Sequence, residues 1–148
     1  MNIPTLRIYS FLLLFFSCCM IGCGNSNGPT LIAVKGKVSY KGKALPNAKV
    51  TFLPIGDTKG IGGSGQTDKD GSYEVTYNRG GTGLPAGEYR VTISQRLNPD
   101  GSQPDPDVSP IESQATERIP AKYSSEDSSK LTKRISDTTT DYDFSLGN

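Results

Sequence analysis

The chain contains no histidine. That removes the commonest general base, the usual partner of a serine or cysteine nucleophile, and the commonest metal ligand. Cysteine is confined to Cys18, Cys19 and Cys23, so nothing beyond position 23 can build a disulfide, a thiolate zinc site or a redox pair. An excess of either charge is also missing. The 16 basic and 15 acidic residues nearly cancel, and no basic block could neutralise a run of phosphates, so nucleic acid is not an expected partner. Beyond the first segment no stretch repeats apolar residues at the helical period. Hydrophobic residues make up 34% of 148, beside 17 glycines and 10 prolines, which fits one small turn-rich domain rather than a large enzyme core.

What is present begins with an address. Arg7 precedes an apolar run from Ile8 to Ile21, the n-region and h-region of a secretory signal, too short for a membrane-spanning helix. The run ends at Met20-Ile21-Gly22-Cys23-Gly24, a small residue before a cysteine. This resembles the lipobox of bacterial lipoproteins. The resemblance implies a signal peptide over residues 1–22 and a diacylglyceryl thioether on Cys23, the acylated first residue of the mature chain. Phe16-Ser17-Cys18 is a competing site, and an uncleaved anchor or an ordinary signal is the alternative. Several acyl chains anchor far more firmly than one, each buried methylene adding roughly 0.8 kcal/mol. Residues 23–30 are polar and aperiodic and read as a flexible tether. Gly24 is not the Asp associated with inner-membrane retention, so the resemblance favours the outer membrane where a cell has one.

From Leu31 a period of two takes over. Val34, Gly36, Val38 and Tyr40 alternate with polar residues, as do Ala48, Val50 and Phe52 up to Pro54, which is expected to stop that strand. Residues 55–65 are glycine-rich, and a strand near Ser64 to Thr67 is expected to be short and weakly specified. Asp68-Lys69-Asp70-Gly71 suits a type I turn with Gly71 left-handed. It feeds the inward row Tyr73, Val75, Tyr77. Leu84-Pro85-Ala86-Gly87 is a second turn, releasing Tyr89, Val91 and Ile93 inward and Glu88, Arg90, Thr92 and Ser94 outward. Residues 95–118 hold four prolines and few apolar side chains and are expected to form a long mobile loop. Ile119-Pro120-Ala121-Lys122-Tyr123 is a short ordered island. Leu131 to Ser136 and the alternating Tyr142, Phe144, Leu146 are expected to make a last pair of strands. Seven or so short strands with regular turn signals predict an all-β, seven-stranded antiparallel β-sandwich over residues 31–148.

Four segments taken together resemble the carboxypeptidase regulatory-like domain: Val34-Lys35-Gly36-Lys37-Val38; Lys43 to Phe52; Thr67-Asp68-Lys69-Asp70-Gly71-Ser72-Tyr73; and Leu84 to Val91. The island at Ile119 and the Asp-rich final strand are similar to small bacterial lipoproteins that carry it. The resemblance implies a transthyretin-like (prealbumin-like) Greek-key sandwich and a noncatalytic module, and it transfers no catalytic residue. Transthyretin-like enzymes acting on hydroxyisourate depend on histidines, which this chain lacks, so that activity does not come with the fold.

Each candidate site in the sequence also has an ordinary structural role. Asp68, Asp70, Ser72 and Glu74 are spaced like the start of an EF-hand loop, but Tyr73 stands where that loop needs Gly and Arg79 where it needs Glu, so a turn is expected and no metal. Asp137, Asp141 and Asp143 read as solvated charge on an edge strand rather than an acid/base pair. Tyr40, Tyr73, Tyr77, Tyr89, Tyr123 and Tyr142 could stack sugars, but read first as core with a hydroxyl at the rim. Gly62-Gly63-Ser64-Gly65 lacks the Lys-Ser/Thr and helix of a phosphate loop. The expectation is a lipid-anchored, extracytoplasmic binding or structural module, not an enzyme, needing no cofactor. Its partners would be the membrane through Cys23 and an envelope protein or glycan, met by residues 95–118. The alternative is a carbohydrate or peptide binder using residues 56–65 and 78–83; a hydrolase built on Asp, Glu and Lys ranks below both.

Overall fold

The computed structural model describes residues 28–147; the signal segment, Cys18, Cys23 and the start of the tether lie outside the described residues. The described chain is mostly β-structure in several sheets, with one helical turn. The alternation of Val34, Val38 and their polar neighbours produces β1 (Lys35–Tyr40), with Val34 and Val38 buried. Lys41 and Gly42 both take positive φ, 51° and 76°, and fold the chain back in a tight hairpin to β2 (Lys43–Ala44). β3 (Lys49–Ile55) buries Val50 and Phe52. It runs on through Pro54, where a stop was expected. β4 (Gly63–Gln66) leaves β3 opposite Phe52, so Pro54 sits where one side of the ladder is already open.

The row Tyr73, Val75, Tyr77 is buried as expected, yet it serves two sheets. β5 (Ser72–Glu74) pairs with β1, and β6 (Thr76–Tyr77) pairs with β4. Val75 is the handover: its amide donates to the Val34 carbonyl, and its carbonyl accepts from Gly83. β7 (Gly87–Ser94) buries Tyr89, Val91 and Ile93 completely. Thr92, expected to face water, is only 6% exposed.

Residues 95–118 depart from the expected structureless loop. β8 (Arg96–Leu97) and β9 (Thr116–Glu117) form a two-stranded ladder at its base, and Ala115 is buried. The ordered island is realised as α1 (Ala121–Ser124), a single turn packed against β7, with Ile119 in the core.

The last two strands do not pair with each other. β10 (Thr132–Ile135) lies antiparallel to β7, whereas β11 (Phe144–Leu146) lies parallel to β1. Between them the chain turns at Ser136 to Thr139 and crosses to the other sheet, where the Tyr142 amide bonds the Lys35 carbonyl. The pairing is therefore not antiparallel throughout. Eleven strands are present among the described residues, in the orders β10-β7-β3-β4-β6 and β11-β1-β2 with β5 also on β1, beside the β8-β9 pair.

Both larger sheets send side chains into one core. Phe52 lies at its centre, with ring centroids 6.3 Å from Tyr89, 6.3 Å from Phe144 and 6.4 Å from Tyr73. The two closest pairs are edge-on, the arrangement ring quadrupoles favour. Each fully buried side chain of this kind contributes about 1.5–3 kcal/mol.

Candidate functional site

The strand registers set up two poles. At one, Ile32 bridges Leu84, and Glu88 near the start of β7 lies opposite Ile55 at the end of β3. The chain enters the domain here, so this is the tether pole. At the other, β7 ends opposite Lys49, the Gln95 side chain donates through Nε2 to the Pro46 carbonyl, and residues 98–114 extend beyond β8.

The distal segment is held by its own chemistry. Glu117 accepts from the Gln95 amide at 2.9 Å, the Ile119 amide at 2.9 Å and the Ser94 hydroxyl at 2.5 Å, which ties both ends of the segment to β7. Arg96 donates to the carbonyls of Ala115 and Pro110, and Arg118 to that of Asn98. Gly101, at φ 86°, turns the tip, while Asp100 Oδ1 accepts from the Ser102 hydroxyl at 2.7 Å and its amide at 2.9 Å. Those bonds hold the exposed Asp100 carboxyl below its ordinary range, the hydroxyl being the larger cause. An open groove of about 470 Å³ results, bordered by Asn98, Asp100, Asp105, Val108 and Glu112. Ile111 beside it is 95% exposed. Between Leu97 and Glu117 the chain has four carboxylates, Asp100, Asp105, Asp107 and Glu112, and no cation. Nothing in the sequence pattern marked Arg96 or Glu117; only the fold brings the two ends of the segment together.

The two loops proposed as the alternative site meet at the tether pole. The Asn78 side chain donates to the Ile61 carbonyl, and its amide to that of Gly62. Ile61 is 42% exposed there.

The remaining candidates are taken up by the structure. Asp68 Oδ1 accepts from the amides of Asp70 at 2.8 Å and Ser72 at 2.9 Å, closing the turn, and Gly71 takes φ 76°. Asp143 accepts from the Lys37 amide at 2.7 Å and ties β11 to β1, while exposed Asp141 sits 3.9 Å from exposed Lys35. Gly62, Gly63 and Gly65 cradle no anion: a Cβ on them would lie 2.2 Å from the Phe52 carbonyl oxygen, 2.5 Å from that of Thr76 and 2.2 Å from that of Glu74. β4 is therefore tightly specified rather than weakly so. Among the described residues no group of three or more acidic side chains could hold a metal.

The tyrosines are mostly core. Tyr73 donates to the Tyr142 carbonyl at 2.6 Å, and Tyr89 to the Pro85 carbonyl four residues back at 2.9 Å. Burial, reinforced by the Asp143 charge, raises the Tyr73 phenol above its ordinary value, and burial first and Tyr77 second push Tyr89 up to about 12. Tyr123 is half-buried; its hydroxyl accepts from the Gly147 amide at 3.2 Å, and Lys122 lies 4.8 Å above its ring. Tyr40 is half-buried as well.

Comparison of the chain with protein-family models, with curated proteins and with solved structures gave no match.

Proposed function

We propose that this protein is a noncatalytic, lipid-anchored module of the bacterial cell envelope, acylated at Cys23 and held at the outer membrane where the cell has one. In this reading its domain is a seven-stranded, transthyretin-like Greek-key sandwich of the carboxypeptidase regulatory-like kind. The Tyr89 hydroxyl on the Pro85 carbonyl supports the fold assignment, because such a tyrosine corner is characteristic of Greek-key sandwiches. The binding surface is the distal groove of residues 98–114. One observation carries that choice: elsewhere the acidic and aromatic candidates are engaged in holding the fold, whereas this groove combines open space, uncompensated carboxylates and an exposed Ile111.

The test is recovery of partners from membranes by the acylated protein and by a variant with residues 99–113 replaced by a short turn. That replacement keeps β8, β9 and Glu117, so the domain stays closed. Loss of partners with the shortened loop is expected, and equal recovery would remove the groove from the proposal. A second reading is kept for the tether pole, because Ile61, Asn78 and Gly62 do come together there. Glycan-array binding by the soluble domain, abolished by change at Ile61 and Asn78 but not by the shortened loop, would favour it.

A further inference from the structure

We infer that the domain stands on the membrane with its tether pole down and the groove of residues 98–114 facing away from the bilayer. This rests on the anchoring reading above, but not on cleavage at Cys23: attachment through any part of the first 23 residues enters the domain at the same pole. Ile32 and Leu84 exchange backbone hydrogen bonds of 2.8 and 2.9 Å, and a Cβ on Gly81 would strike Leu31 at 2.8 Å, so the incoming chain is fixed against the turn of residues 78–84. From that pole β7 runs the length of the domain. Its eight residues, rising about 3.3 Å each, carry the chain roughly 25 Å before the groove segment begins.

The segment does not fold back. The hydrogen bonds of residues 98–114 run among themselves or to Arg96, Ala115 and Arg118. Only eight residues, Cys23 to Thr30, separate the acylation position of that reading from the domain, and even fully extended they span no more than about 29 Å. Rotation about so short a tether keeps the tether pole nearer the lipid. Charge acts in the same direction. An anionic leaflet attracts basic segments over roughly a Debye length and by the same field repels a stretch with four carboxylates and no cation. The groove is thus presented to the space beyond the membrane, where a partner on an opposing surface or in solution can reach it.

The arrangement is measurable because no cysteine follows Cys23. Two full-length variants, Arg79→Cys at the tether pole and Ile111→Cys at the distal tip, change exposed side chains and give one labelling site each. The parent chain supplies the blank for any thiol in the first 23 residues. Each labelled protein is reconstituted into vesicles carrying a headgroup energy-transfer acceptor, and vesicle flotation is scored separately. Transfer severalfold stronger from position 79 than from position 111 is expected. Flotation with equal or reversed transfer overturns the stance while leaving the anchoring intact. Failure to float, with folding intact by circular dichroism, overturns both.

Discussion

Tyr73 and Tyr89 each bring a phenol into an apolar core and satisfy it with a single carbonyl, so each ring contributes packing and a polar tie together. Removing the Tyr73 hydroxyl leaves the Tyr142 carbonyl without that donor. Tyr73→Phe is expected to cost about 1–3 kcal/mol, read as a lower urea midpoint with an unchanged slope. The same burial sets the response to alkali. Both phenols hold their protons more firmly folded than unfolded, so above pH about 10 the unfolded chain binds fewer protons and stability falls as pH rises. The contribution is whole below pH about 10 and declines through the window that ends near 12 for Tyr89. Melting temperature measured from pH 8 to 12 should be flat and then drop, and Tyr89→Phe should soften the drop; parallel curves for the two proteins would refute this account. Both tyrosines were legible as inward residues from period-two alternation. The acceptor of Tyr73 was not, because Tyr142 lies 69 positions away and only the crossing of the chain to β11 brings it near.

At the scale of elements, the turns and the glycine strand behave differently. Lys41 occupies a left-handed turn position that Asn or Gly fills at lower cost, so Lys41→Asn should raise stability by about 0.5–1 kcal/mol in the same urea experiment. Gly65 offers no such gain. Its Cβ would meet the backbone of Glu74 at 2.2 Å, and backbone cannot swing aside as a side chain can. Gly65→Ala should lose about 1–3 kcal/mol as β4 is pushed from the crossing segment. The sequence marked these glycines only as a flexible run, because close approach of another strand leaves no periodic trace. The distal segment poses the opposite problem. Its proline-rich composition hid a ladder of two residues a side, and Glu117 reads as one more solvated charge until its three donors are seen. Glu117→Ala should leave global unfolding within about 0.5 kcal/mol of the parent, since the residue is exposed. It should also speed amide exchange and proteolysis between residues 95 and 119. Unchanged exchange there would remove Glu117 from its anchoring role.

For the whole molecule, the decisive feature is how the chain closes. The inward and outward rows of seven or so strands could be read from alternation, but strand partners could not, since any inward row can be buried against any other. The C-terminal strand shows the difference. A hairpin with residues 131–136 would have made it a peripheral addition, whereas its parallel pairing with β1 places Tyr142, Phe144 and Leu146 in the core shared by both sheets. Phe144 touches the central Phe52 and Tyr73 as well. Deleting residues 141–148 would remove three side chains worth about 1.5–3 kcal/mol each, the acceptor of the Tyr73 hydroxyl and the tie from Lys37 to Asp143. Set against a total stability of about 5–15 kcal/mol for a domain of this size, that loss removes most or all of the margin. A chain ending at Thr140 is therefore expected to be unfolded or molten, with collapsed dispersion of its amide resonances. A chain beginning at Leu31, which among the described residues loses only the exposed Gly28, Pro29 and Thr30, should keep the parent spectrum. A folded chain ending at Thr140 would mean that the β1 edge closes without β11, and the parallel pair would then be an accessory to the fold.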